Sequence, residues 1–238
     1  MERYSVSKIK TYESCTLKYK LHYIDKIWPE DEIERDDTMF GNLVHKAFEI
    51  YDPKKDNKDE IVKLVRDYPT LSEEYKNYLP KAYKSLLEFF DKYGKYPSDQ
   101  ELKLNYDMGN FIATGYVDRF MHMNKFHMCV DYKTSKNANI DYHIFQLKFY
   151  NLVLSKMYNI NPADIRMMVF FPRPNEEAKT MFSNSQIKNF EKELNNKILE
   201  IETNKKWPAL PGFHCRWCAF YDTQYCPKTF SGKNSVIT

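Results

Sequence analysis

Between Glu101 and Thr134 the apolar residues change period, and this switch limits the fold more than any other feature of the chain. Glu101 to Asp107, Phe111 to Met121 and Met128 to Thr134 carry β-branched and aromatic residues in near alternation, the pattern of half-buried strands. Met108-Gly109-Asn110 supplies the first turn. Upstream the pattern is helical. Ser5 or Ser7 caps a short helix leading toward Cys15, and Tyr19 and Tyr23 continue it. Leu43, Val44, Ala47 and Phe48 form an apolar stripe on a helix over Gly41 to Tyr51. Two further helices are predicted near Glu60 to Asp67 and Ser72 to Tyr93, and the acidic stretch from Glu30 to Asp37 reads as a solvated loop. Downstream come a helix from about Asp141 to Tyr158, a buried strand at Ile165 to Phe171, an edge strand near Lys179 to Phe182 and a polar-faced helix from Ser185 to Asn204. This order predicts an α/β core with an inserted helical region.

The strand block also carries chemistry. Asp131 and Lys133 are two apart on a strand, so both project from one face, and pairing with the neighbouring strand can bring Asp118 to that face. Two carboxylates repel unless a cation neutralises them, and hard cations such as Mg²⁺ prefer oxygen ligands. A lysine beside such a cation can hold or polarise a water. In outline this is a site for metal-assisted hydrolysis. Glu101, on the strand before Asp118, reads as ordinary surface charge, with an accessory catalytic role as the lesser reading.

Composition fits one substantial soluble core: 238 residues, 42% hydrophobic and 29% charged. The formal net charge of +3 is compatible with nucleic acid, but a binding surface must come from local clustering. The chain shows neither a signal peptide nor an apolar run near 18 residues. The expected compartment is cytoplasmic, or a host's cytoplasm for a virus-encoded protein, with no membrane partner. Five cysteines without a secretory context point to a metal or cluster site rather than disulfides. Cys129 reads as a buried apolar thiol. Cys15, Cys215, Cys218 and Cys226 suit either zinc or an iron–sulfur cluster.

Six motifs in order resemble one known group, the PD-(D/E)xK nuclease superfamily and within it the RecB-like nucleases. They are Ser5-Val6-Ser7 with Tyr12-x-x-Cys15-x-x-x-Tyr19, then Gly41-x-x-x-His45, then Gly115-Tyr116-Val117-Asp118, then Asp131-x-Lys133, then Gln146-x-x-x-Tyr150, and last Cys215-x2-Cys218-x7-Cys226. The cysteine set is similar to that of AddB nuclease domains and of CRISPR-adaptation exonucleases.

The resemblance implies a restriction-endonuclease-like core, a central mixed sheet flanked by helices, with an N-terminal helical region and a C-terminal region stapled by iron and sulfur. It implies a single nuclease domain over 1–228, divided into a helical region over 1–95, a catalytic sheet core over 98–182 and a helix with the cysteines over 183–228, then a flexible tail at 229–238. Metal ligation falls to His45, Asp118, Asp131 and the Tyr132 carbonyl, with Mn²⁺ or Mg²⁺ as activator. His45 makes Mn²⁺ plausible, because imidazole suits transition metals. Lys133 orients the attacking water, and Gln146 and Tyr150 complete the catalytic set. Cys15, Cys215, Cys218 and Cys226 hold a [4Fe–4S] cluster.

The implied activity is metal-dependent DNA hydrolysis, as a single-strand exonuclease with 5′ to 3′ polarity favoured, in recombination, repair, phage DNA processing or CRISPR adaptation. No G-x-x-x-x-G-K-S/T phosphate loop occurs, so the chain carries no helicase motor of its own. DNA with free ends is the expected partner, beside a helicase, recombination or CRISPR-adaptation protein. The rival is a non-catalytic iron–sulfur subunit that binds DNA ends or scaffolds. Intact Asp118, Asp131 and Lys133 speak against it.

Overall fold

The computed structural model describes residues 1–29, 35–55, 57–68 and 71–226. In chain order the elements are β1 (Arg3–Tyr4), α1 (Val6–Ser14), α2 (Thr16–Tyr19), a π-turn at Lys20–Ile24, α3 (Asp36–Ile50), α4 (Lys58–Asp67), α5 (Glu73–Lys76) and α6 (Leu79–Tyr93). There follow β2 (Ser98–Asp107), β3 (Ile112–His122), β4 (His127–Tyr132), α7 (Ile144–Tyr158), β5 (Ile165–Phe171), β6 (Glu176–Thr180) and α8 (Asn184–Thr203). The expected tail at 229–238 lies outside the described residues, as does 30–34 of the acidic stretch. Asp36 and Asp37 open α3, where carboxylates complement the positive end of the helix dipole.

The chain divides into two compact units, one of Glu34–Glu191 with Met1, the other of Glu2–Ile33 with Lys192–Thr238. In the larger unit β2, β3 and β4 pair antiparallel in succession, β4 pairs parallel with β5, and β5 pairs antiparallel with β6. The sheet is therefore mixed. α7 lies in the chain between β4 and β5, the crossover that a parallel pair requires. The β2–β3 turn depends on Gly109, whose φ is +97°, a region closed to most side chains. Asp107 Oδ1 accepts from the Gly109 N–H at 2.8 Å.

Alternation along β4 distributes the core. Met128, Val130 and Tyr132 join Met168 and Phe170 of β5 against α3 and α6, where Phe48, Phe89 and Phe90 pack. Phe48 lies 4.4 Å from Tyr132 between ring centroids, and Phe89 lies 5.0 Å from Phe170. Cys129 and Asp131 point the other way, as the period of two demands, and α7 reaches Asp131 from that side through Gln146. Helices thus flank the sheet.

Two helix predictions need correction. The stretch from Ser72 to Tyr93 is not one helix but α5 and α6, because Pro80 lacks an N–H and its ring excludes a helical carbonyl four residues back. Pro80 instead sits in the first turn of α6, a position that tolerates it. The turn after Tyr19 widens from α to π, although Tyr19 and Tyr23 remain in ring contact at 5.1 Å. The edge strand falls at Glu176–Thr180 rather than Lys179 to Phe182.

In the smaller unit Ser5 caps α1, its Oγ accepting from Lys8 N–H at 3.2 Å. Cys15 separates α1 from α2 in an extended conformation. Tyr19 stacks on Trp207 at 5.7 Å, and Thr16 Oγ1 donates to the Pro208 carbonyl at 2.7 Å. No helix among the described residues is long and apolar enough to cross a membrane.

Candidate active site

β3 and β4 remain paired from His122↔His127 to Arg119↔Val130 and then separate. Asp118 stands at the fork. Its Oδ2 accepts from the Tyr132 N–H at 2.5 Å, so a carboxylate takes the place of a strand carbonyl. In the β2–β3 register Glu101 falls opposite Asp118, between the pairs Gln100↔Arg119 and Leu102↔Val117. Glu101 has φ +47°. A non-glycine residue in the left-handed region costs on the order of 1–3 kcal/mol, and such strain gathers at functional sites.

His45 reaches this fork from α3. Its Nε2 donates to the Tyr132 carbonyl at 2.9 Å, and Nδ1 lies 3.3 Å from Asp118 Oδ1. One ligand atom each from His45, Glu101 and Asp118 lie within 4.8 Å of one another. Imidazole nitrogen with two carboxylate oxygens is a donor set that Mn²⁺ and Mg²⁺ accept.

Asp131, Lys133, Gln146 and Tyr150 form a second, connected set. Asp131 is buried with its side chain 2% exposed, and Lys133 Nζ stands 2.6 Å from Oδ2. Lys133 is the counter-charge of Oδ2, which has no other polar partner among the described residues. A buried carboxylate oxygen in this condition suits a cation. Gln146 Nε2 donates to Asp131 Oδ1 at 2.9 Å and to the Tyr150 hydroxyl at 2.8 Å. Tyr150 is buried, and its ring would meet a side chain placed at Gly115 at 3.7 Å. The two sets meet at Tyr132, whose backbone touches both Asp118 and His45.

Electrostatics mark the cluster as short of positive charge. Burial pushes the Asp131 carboxyl up to about 6, against the opposing pull of Lys133, with Asp118 adding to the rise. Burial and then Asp118 raise Glu101. Burial works to lower the His45 pKa, but the hydrogen bond and charge of Asp118 outweigh it and the net shift is upward. All three folded-state values are raised, so without metal the folded protein holds more protons than the unfolded chain. Stability from these groups is present at low pH and is lost as pH rises through their folded values. A divalent cation replaces those protons. Mn²⁺ is therefore expected to raise the thermal midpoint more at pH 8 than at pH 5.5, measured by differential scanning fluorimetry. An equal rise at both pH values would detach the cation from these groups.

Of the residues singled out in the sequence, His45, Asp118, Tyr132, Asp131, Lys133, Gln146 and Tyr150 lie together. Glu101 is more central than its sequence reading. Arg119 carries no sequence expectation, yet it supports the site. It is 4% exposed, donates to the Tyr132 hydroxyl at 3.0 Å, to Ser98 Oγ at 2.8 Å and to the Phe48 carbonyl at 3.1 Å, and lies over the Phe90 ring. Its one signal in the sequence is a lone arginine among Val117, Phe120 and Met121 on a buried strand.

In the smaller unit Cys15, Cys215, Cys218 and Cys226 line one small cavity. Backbone N–H groups of Lys18 and Leu210 point at Cys15 Sγ, each at 3.5 Å, and that of Gly212 at Cys215 Sγ at 3.4 Å. His214 lines the same cavity with Nε2 buried and unpartnered. Burial, then the neighbouring cysteines, push the Cys226 thiol up. The donor set and the N–H groups aimed at sulfur fit a sulfur-ligated metal group.

The model of the PD-(D/E)XK nuclease superfamily matches residues 3–227. The chain belongs to that superfamily. Members of the PD-(D/E)XK superfamily share the mixed sheet flanked by helices found here, and dependence on divalent metal is general to the fold. Among solved structures, a candidate exonuclease from Eubacterium rectale is similar over 91% of this chain and 88% of its own, with 12% identity and a TM-score of 0.58. The structure of SSO0001 aligns over 86% and 91%, with 14% identity and a TM-score of 0.38. LHK-Exo in complex with dAMP aligns over 67% and 86%, with 12% identity and a TM-score of 0.30. Comparison with curated proteins finds no match.

Proposed function

We propose that this PD-(D/E)XK protein is a divalent-metal-dependent deoxyribonuclease that degrades single-stranded DNA from an end, with 5′ to 3′ polarity. The observation that carries the hydrolytic reading is the His45–Glu101–Asp118 convergence beside the Asp131–Lys133 pair. The motif resemblance supports the strand preference and polarity. His45, Asp118, Asp131, the Tyr132 carbonyl and Glu101 would hold Mn²⁺ or Mg²⁺. When bound, the cation offsets charge on the scissile phosphate and acidifies a water.

Lys133 Nζ donates to that water and aligns it with phosphorus. Asp131 fixes the ammonium through charge, Gln146 fixes the Asp131 carboxylate, and the buried Tyr150 hydroxyl fixes Gln146. Tyr150 is thus a positioning residue. Arg119 anchors the Tyr132 side chain through its hydroxyl, and so helps to hold the residue whose carbonyl faces His45.

The four cysteines would hold a [4Fe–4S] cluster. The four cysteines line one cavity, with backbone N–H groups aimed at the sulfurs of Cys15 and Cys215, surroundings that suit a thiolate-held iron–sulfur group. The enzyme would take ends opened by a helicase, a recombination protein or a CRISPR-adaptation partner.

Time courses on 5′- and 3′-labelled single and double strands, with Mg²⁺ or Mn²⁺, test the reading. The expected result is early release of mononucleotides or short products from the 5′ end of single strands. Release from 3′ ends first would reverse the polarity. No cleavage of any strand with either metal would remove the nuclease assignment.

A further inference from the structure

At the opposite end of β4 from the fork, the β3–β4 hairpin closes on a facing pair of histidines. His122 and His127 are register partners, and their Nδ1 atoms stand 3.2 Å apart. His122 Nε2 lies 3.0 Å from Asp99 Oδ2. A carboxylate accepts, so Nε2 of His122 carries the proton. In the neutral ring this leaves the lone pair on Nδ1, turned toward His127. A carboxylate behind a histidine in this way fixes its tautomer and makes it a better ligand. Asp99 is held in turn by Tyr158. Phe120 stacks on the His127 ring, 5.4 Å between centroids and 15° between planes, and so fixes the second imidazole. Both histidines are half-buried, so water can still reach them.

We propose that His122 and His127 form a metal site separate from the active centre, taking a borderline divalent cation such as Zn²⁺ or Ni²⁺ between their Nδ1 atoms. Two metal–nitrogen bonds of about 2.0–2.1 Å at a tetrahedral angle place their nitrogens about 3.3 Å apart, and the observed separation matches without movement of either strand. Nitrogen donors select Zn²⁺, Ni²⁺ or Cu²⁺ over Mg²⁺. Asp99 orients His122 from behind, and water completes the coordination. A bound ion would clip the turn end of the hairpin and fix the β3–β4 register from which Asp118 and Asp131 are presented.

The competing arrangement is a plain N–H···N hydrogen bond between the rings. Two measurements on the full chain separate them. Nickel retained after dialysis is counted for wild type, His122→Asn and His127→Asn; the active centre and the cysteine site contribute equally to all three. Imidazole ¹⁵N resonances of wild type are followed through a ZnCl₂ titration, a readout that needs no variant. The proposal expects one more Ni²⁺ per chain in wild type than in either variant, with both Nδ1 signals displaced by Zn²⁺ and unmoved by Mg²⁺. Equal nickel in all three proteins, or Nδ1 signals that stay in place as zinc is added, would overturn it. Neither readout uses DNA cleavage, so the outcome is independent of the nuclease reading.

Discussion

Lys133→Ala protein is expected to bind single-stranded DNA and Mn²⁺ as wild type does, yet to cleave about 10²–10⁴-fold more slowly, the range for loss of a group that handles the reacting proton. Lys133 lies at the margin of the site, its side chain 26% exposed, so its removal leaves no cavity in the core. The variant also carries a second signature. The positive charge of Lys133 opposes the upward push of burial on Asp131. Without it the Asp131 carboxyl rises further, so the acid limb of any residual activity should move to higher pH. Asp131→Asn keeps the side-chain volume and the Oδ1 acceptor for Gln146 while removing the charge, and should be equally inactive at every pH. Single-turnover cleavage across a pH series checks both. Wild-type rates in either purified variant would end the catalytic assignment.

Cys15→Ala should have the largest effect on the fold. Protein prepared without oxygen is expected to be brown, with about four iron and four sulfide per chain, and the variant to be colourless. A cross-link from Cys15 to the C-terminal cysteines closes a loop of nearly the whole chain. By the chain-entropy argument used for disulfides, such a closure restricts the unfolded state by about 5 kcal/mol, a large share of a typical stability of about 5–15 kcal/mol. Limited proteolysis should then cut the smaller unit, within Glu2–Ile33 or after Lys192, before it cuts the sheet. Elemental analysis gives the opposing result: one zinc and no iron in wild type would reject the cluster and leave the nuclease reading intact.

The strands are legible because β3 alternates and β4 and β5 run apolar between polar or turn-forming stretches. Ser5 is legible as a cap, and Asp131 with Lys133 as a same-face pair, because both depend only on local spacing. Glu101 is not. Its importance comes from a left-handed backbone that sets it against Asp118 across two strands, and nothing in the residues near Glu101 encodes that partner. Spacing predicts Asp118 beside Asp131, but not that its Oδ2 accepts from the Tyr132 N–H at the fork. Arg119 is a similar case. Its value lies in joining a helix carbonyl, Ser98 and Tyr132, a set that exists only once three elements have packed. The break at Pro80 is readable from proline stereochemistry, but the apolar stripe continues through it and disguises the boundary.

The division of the chain has a consequence for its synthesis. Glu34–Glu191 is one continuous stretch and can condense as it leaves the ribosome. The smaller unit is made from Glu2–Ile33 and a segment that begins at Lys192. Its leading segment therefore emerges first and waits through translation of the entire sheet. At about 5–20 residues per second the delay is roughly ten to thirty seconds. Through that interval Tyr12 and Tyr19 lack the Trp207 ring that they pack against, and Cys15 lacks the C-terminal cysteines of its cavity. A slow-codon stretch within the sheet would lengthen this exposure, and a holding chaperone would be needed earlier for the segment before Glu34 than for anything that follows.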